Sequence, residues 1–190
     1  MVNAIVVKNA ADKYSRKDLD KLTDYVKTYK ASGLAYIKYN EEITGSVVKV
    51  LSEKEINDIK EKLNIEDNDL VLIVSGDYKT TKVSLGALRC KLARDLDLIK
   101  KGDYKLLWVT DFPSFEWSEE ESRFVACHHP FTMPKDEDVE KLLTDKEHCY
   151  SKAYDIVING YEAGGGSIRI HDEKVQETMF KALELTEEDI

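Results

Sequence analysis

Residues 159–172 read "NGYEAGGGSIRIHD". Three consecutive glycines lie between an acid, Glu162, and a base, Arg169. The run that follows them alternates strictly: Ser167, Ile168, Arg169, Ile170, His171. Side chains on a strand point to opposite faces in turn, so Ser167, Arg169 and His171 share one face and Ile168 and Ile170 the other. The isoleucine side is expected to be the core side of an antiparallel sheet solvated on one face. The polar side is either an ordinary solvated face or a site. The glycines decide little alone, since they suit a flexible hairpin turn or a strand approached closely by a ligand.

Asp155, just upstream, is the natural companion of Glu162, because hard cations take carboxylate oxygens. On one unbroken strand, residues seven apart would face opposite sides. The "NG" at 159–160 removes the difficulty, because a turn or bulge there resets the parity. Arg169 is the best candidate for holding a carboxylate or phosphate, through its planar fork of donors. The plain alternative is a surface salt bridge with Glu162 or Asp172.

Further out lies "CHHPFT" (127–132). A Cys–His nucleophile pair is one reading, although neighbours on a strand point apart. A zinc site combining Cys127, His128 or His129 with His148 and Cys149 is another, and its spacing is poor. A third makes a histidine a polar sensor on a loop turned by Pro130. The plainest leaves one histidine packed and one exposed.

The 190 residues allow one large domain or two small ones. A hydrophobic content of 42% supports a real core, and 34% charged residues suit a soluble protein. No apolar run approaches the roughly 18 residues of a membrane helix, and no signal-peptide pattern opens the chain. The net charge of −9 argues against a chain that is mainly a nucleic-acid-binding surface. Three cysteines without CxxC spacing suit a reducing, intracellular compartment.

The first hundred residues read as β-α-β-α-β-α. "VNAIVV" (2–7), "LAYIKY" (34–39) and "LVLIVSG" (70–76) are the strands. One helix opens at the capping-box-like "SRKD" (15–18) and runs to about Ser32, with Gly33 as its stop. A second opens at "SEKE" (52–55) and runs toward Leu63. A third covers Val83 to Leu98. The texture changes near Gly102. "KLLWVTDF" (105–112) is a strand, "FPSFEWSEEESRF" an acidic aromatic connection, and "FVACHHPFTMP" (124–134) a strand running into a loop. "KDEDVEKLL" is a short helix, "YDIVING" (154–160) and "GSIRIH" (166–171) are strands, and "DEKVQETMFKALEL" is an amphipathic helix. The terminal "TEEDI" (186–190) has a helix-start signature, as though the chain were cut inside a domain.

Four strings, "LLWVTDFPSFEW", "HHPFTMPKDED", "AYDIVINGYEAGGGSIRIHD" and "QETMFKALEL", closely resemble, in order, the second half of bacterial-type aspartyl-tRNA synthetases. "VKTYKASGLAYIKY" and "TTKVSLGALRCKLARDLDL" resemble their insertion module, the GAD domain. The resemblance implies an α+β chain: a small α/β insertion domain over 1–100, then part of a class II catalytic domain over 101–190, with an antiparallel sheet and flanking helices. It implies activation of L-aspartate with ATP and transfer to tRNA(Asp) by a cytoplasmic, homodimeric parent enzyme with no membrane partner.

Residue by residue, the resemblance gives Arg169, His128 and His129 to aspartate and Glu162 and Ser167 to ATP. Asp155 and Glu162 go to Mg2+. No catalytic side chain is assigned. The family's motif 2 with its ATP-binding arginine, its motif 3 and its anticodon-binding barrel have no counterpart in the sequence. The chain is therefore expected to be an internal fragment, inactive alone. The alternative is a stand-alone GAD-type module that binds tRNA or an amidotransferase.

Overall fold

A computed structural model describes residues 1–186 and 188. The chain divides into two compact units, Met1–Lys101 and Gly102–Ile190.

The first unit holds one four-stranded sheet of β1 (Val2–Val7), β2 (Ala35–Tyr39), β3 (Ile43–Gly45) and β4 (Asp69–Ser75), in the order β1-β4-β2-β3 and antiparallel throughout. Central β4 is apolar at nearly every position because both of its faces are covered. Leu70, Leu72 and Val74 pack with α1 (Arg16–Lys27) and α3 (Tyr78–Asp95). Val71 and Ile73 point the other way, into a second cluster that includes Ile56 and Ile59 of α2 (Glu53–Lys62). A strand buried on both faces reads as a continuous hydrophobic run.

The expected capping box of Ser15 with Asp18 is present, and the helix expected to open at 52–55 also starts with one, Ser52 with Glu55. Three features differ from expectation. The first helix ends at Lys27, short of Ser32, and Gly33 is not its stop. Lys30 takes the left-handed conformation there (φ 70°), and the amide of Ala31 donates to the carbonyl of Val26. The third helix begins five residues early, because Asp77 accepts from the amide of Thr80 and caps it. The short strand β3 was not foreseen. Buried Asp69 closes the unit by accepting from the ammonium of Lys8 and the amides of Asn9 and Glu66.

The second unit has two separate sheets. β6 (Phe115–Ser118) and β7 (Arg123–Ala126) form a hairpin. The acidic aromatic stretch expected to be a connection is therefore largely strand and turn, with Trp117 packed edge-on against Phe124. Phe115 joins Leu142, Cys149 and Met179, Ala182 and Leu183, from the end of α4 (Glu173–Ala182) and just beyond, in one core cluster. The short helix at Asp136–Lys141 is 3-10.

The other sheet is β5 (Leu106–Val109), β8 (Ala153–Ile158) and β9 (Tyr161–Ser167), in the order β5-β8-β9. The strand expected at 166–171 thus lies upstream: the glycines are within β9, and residues 168–171 leave the sheet. Ile168, placed on the core side by alternation, is 49% exposed, while Ile170 packs against the α4 cluster. Of the terminal "TEEDI", residues 187, 189 and 190 lie outside the described residues.

Candidate active-site strand

The β8–β9 hairpin turns through Asn159 and Gly160, both with positive φ (52° and 87°), and Ile158 pairs with Tyr161. A two-residue loop with two positive φ values matches the right-handed twist of its strands. Asn159 also holds β5 in place. Its side-chain oxygen accepts from the amide of Lys105 and its amide group donates to the carbonyl of Asp103, each at 2.8 Å.

This turn sets Glu162 opposite Val157, so Glu162 faces the same way as Asp155. A bulge at Ala163 then shifts the register, pairing Ile156 with Gly164, Asp155 with Gly165 and Ala153 with Ser167. On an unbulged strand Glu162 and Ser167, five apart, would face opposite sides. The extra residue brings Asp155, Glu162, Gly165 and Ser167 onto one face.

The glycines make room for β8 side chains. A Cβ on Gly165 would lie well inside van der Waals contact of Asp155 Oδ1 and 3.2 Å from its Cγ. A Cβ on Gly166 would lie 3.1–3.3 Å from the ring and hydroxyl of Tyr154. The hairpin-turn reading of these glycines is wrong, because the turn sits at 159–160. Asp155 lies across bare backbone, and Tyr154 covers the next residue on the opposite face. Tyr154 itself packs edge-on against Trp108.

Beyond β9 the chain meets the histidine turn. Arg169 forms an antiparallel bridge with Thr132. The amide of Met133 donates to Ile168 and that of Ile170 to Phe131. The amide of Thr132 donates to the carbonyl of His129 and closes the turn. Gln176 of α4 donates its side-chain amide to the carbonyl of Pro130 at 3.0 Å. The segment carrying Arg169 is thereby bridged to the turn that follows His128 and His129, about forty residues earlier in the sequence.

Both histidines are exposed. His128 meets Phe112 edge-on at 4.8 Å, and His129 accepts from the amide of Phe131. Arg169 is exposed and, among the described residues, has no ion pair with Glu162 or Asp172. Asp172 instead caps α4 by accepting from the amides of Lys174 and Val175. Under the turn lies a cavity of about 10 Å³, lined by residues that include Ser114, His128, His129 and Thr132. It has room for about one water and none for a substrate.

The cysteine readings fail. Burial, with the nearby charge of Glu116, pushes the Cys127 thiol up to about 11, so it is not a nucleophile at neutral pH. Cys149 is fully buried, its thiol is also raised by burial, and it donates to Ser114 and to the carbonyl of Asp138. Exposed His148 pairs with Asp145. No group of three or more His, Cys, Asp and Glu side chains able to hold a metal occurs among the described residues. A zinc centre therefore does not fit. A hard divalent cation fits better on Asp155 and Glu162, provided that a ligand's own oxygens complete its shell.

Of the residues that sequence reasoning proposed for the site, Asp155, Glu162 and Ser167 share one strand face, and Arg169 is bridged to the turn that follows His128 and His129. That reasoning missed the bulge, the ring of Tyr154 over Gly166 and the clamp by Gln176. The Asn-Gly pair signalled the turn. Nothing local signals a bulge at an alanine or a long-range amide contact.

The chain matches the family described as tRNA synthetases class II (D, K and N) over residues 3–190. It is 50% identical over 189 residues to the aspartate–tRNA ligase of Macrococcus caseolyticus and 52% identical over 188 residues to aspartate–tRNA ligase 2 of Streptococcus mutans. It is 50% identical over 188 residues to the aspartate–tRNA(Asp/Asn) ligase of Anoxybacillus flavithermus. Each alignment takes in 98–99% of this chain and 32% of the relative. The chain spans about a third of the length of the curated relatives it matches.

Proposed function

Because this chain belongs to the class II tRNA synthetases of the D, K and N group, we propose that it forms part of an aspartate–tRNA ligase. Such an enzyme joins L-aspartate to ATP, releases pyrophosphate and passes the aspartyl group to tRNA(Asp). The supporting observation is one strand face, Asp155, Glu162, Gly165 and Ser167, running into an arginine bridged to a histidine turn.

In this reading the Arg169 guanidinium holds the side-chain carboxylate of aspartate, and His128 and His129 border the same end. Glu162 and Ser167 face the nucleotide. The α-carboxylate of aspartate attacks the α-phosphorus, and the bond to the bridging oxygen of pyrophosphate breaks in line. Little covalent chemistry is left to the protein, so its residues orient both reactants and balance charge. Mg2+, held by Asp155 and Glu162 with phosphate oxygens, would neutralise charge developing on the leaving pyrophosphate. The hydroxyl of the tRNA terminal ribose then attacks the activated carbonyl and AMP departs. Residues 1–100 correspond to the GAD insertion, and the parent is a cytoplasmic homodimer. No helix among the described residues is long and apolar enough to cross a membrane.

Arg169→Gln in the complete enzyme tests the assignment. An amide cannot pair bidentately with carboxylate, so aspartate-dependent pyrophosphate exchange should fall and the preference over asparagine should collapse by on the order of 10⁴. An unchanged preference would remove Arg169 from the aspartate pocket.

A further inference from the structure

The two units differ in charge. Residues 1–101 carry 19 Lys and Arg against 16 Asp and Glu, whereas residues 102–190 carry 9 against 21. The acidic balance of the chain belongs entirely to its second unit. Five of the first unit's 19 cations lie on α3. At 100° per residue, Lys79, Lys82, Val83, Gly86, Arg89, Cys90 and Arg94 fall on one arc, and all are exposed. No acidic residue falls on that arc. The ion pair on this helix among the described residues, Lys91–Asp95, lies off it. Lys82 reaches over the ring of exposed Tyr78, and Arg94 donates only to the carbonyl of Cys90.

Gly86 sits at the centre of the arc. A Cβ there would meet nothing within 4 Å, so packing within the chain does not require glycine. Glycine in a helix interior is among the least stabilising choices. Lys82 also donates to the side-chain oxygen of Asn3, but none of the four cations has an ion-pair partner among the described residues, and bare backbone amid such cations is what a closely approaching polyanion needs.

We infer that the exposed face of α3 is a docking surface for the phosphodiester backbone of an RNA helix, with Lys79, Lys82, Arg89 and Arg94 on phosphates and Gly86 allowing close contact. This rests on the reading of the parent as a tRNA ligase for the identity of the polyanion. Such contacts fix position and carry no sequence information. The surface would place the insertion on the tRNA backbone.

The test uses the full 190-residue chain and a fluorescently labelled RNA hairpin, with anisotropy followed from low to moderate KCl. Lys82→Glu with Arg89→Glu should weaken binding about tenfold or more and flatten the slope of log affinity against log salt by about 1.5–2. Lys54→Glu with Lys60→Glu on α2 changes net charge equally and should leave affinity within about twofold. Gly86→Gln should raise the melting temperature, since glutamine is the better helix former, while weakening RNA binding. Absence of binding by the unaltered chain would overturn the inference. So would equal losses from the α2 and α3 pairs, or equally tight binding of polyglutamate. Aspartate-dependent pyrophosphate exchange by the complete enzyme, measured alongside, tests the ligase reading separately. It needs no RNA and should survive the α3 changes.

Discussion

The central strand of each unit's larger sheet runs between two neighbours, yet the two are buried very differently. In the first unit, Leu70, Leu72 and Val74 on one face of β4 and Val71 on the other are all buried, under helices on both sides. In the second, β8 runs between β5 and β9 with little over either face. Leu106, Leu107, Trp108, Tyr154 and Tyr161 are 39–79% exposed, and none of the sheet's residues belongs to the unit's core cluster. That cluster lies instead under the β6–β7 hairpin and α4. The same local pattern thus gives a finished sheet in one place and an unfinished one in another. A pleated apolar surface needs a second layer to gain from burial. The chain spans about a third of the length of the relatives it matches, and on the reading proposed above the remainder of the enzyme would supply that layer.

Hydrogen exchange should separate the two sheets most widely. Amides of β4 should open only with global unfolding of their unit, and those of β8 and β9 by local opening, with rates differing by three orders of magnitude or more. Comparable protection in both would mean that the bare sheet has found cover, as in a self-associated chain.

Truncation should follow the same division. Leu72→Ala removes a fully buried side chain and should cost the first unit about 2–5 kcal/mol. Leu107→Ala, at a 54% exposed site, should shift stability by about 0.5 kcal/mol or less. Both tryptophans, Trp108 and Trp117, lie in the second unit. Urea melts followed by tryptophan fluorescence and by far-UV circular dichroism therefore resolve the two units. A large cost at Leu107 would show burial in solution.

Acid should weaken both units, through one buried aspartate in each. Burial raises the Asp69 carboxyl, but the Lys8 ammonium and the amides of Glu66 and Asn9 outweigh it and leave it below the ordinary 3.8. The same balance, with Lys141 and the amide of Tyr150, lowers Asp138. A carboxylate lowered by folding stabilises the native state above its unfolded value, and that contribution is lost as pH falls through the folded value. Melting temperatures should drop below about pH 4, and Asp69→Asn should blunt the drop for the first unit only. A slope that Asp69→Asn leaves unaltered would assign the acid sensitivity elsewhere.

Gly165→Ala probes the candidate site face. The new methyl must displace the Asp155 carboxylate and should cost the hairpin about 1–3 kcal/mol. Adding Asp155→Gly should recover most of it, a coupling measurable by a double-mutant cycle. Additive effects would mean that the two residues do not touch.

Helix ends give the smallest test. The four α-helices among the described residues each close with a non-glycine residue at positive φ, namely Lys30, Asn64, Asp97 and Glu184. Lys30→Gly should stabilise the first unit by about 1 kcal/mol, because glycine enters that conformation without strain. A loss would show that the Lys30 side chain contributes more than its backbone costs.

What the sequence determined by itself was local chemistry. The capping boxes at Ser15 and Ser52, the two-sided apolar run of β4, the Asn159-Gly160 turn and the residue types of the site all follow from patterns a few residues long. What only the tertiary structure decided depended on partners far along the chain. The bulge at Ala163 sets whether Glu162 and Ser167 face together, and it arises from pairing with β8. Gly165 is bare because Asp155 lies across it, and Ile168 is exposed because the chain leaves the sheet there. Alternation assigns opposite faces, but only cross-strand register and a second layer decide which face is covered.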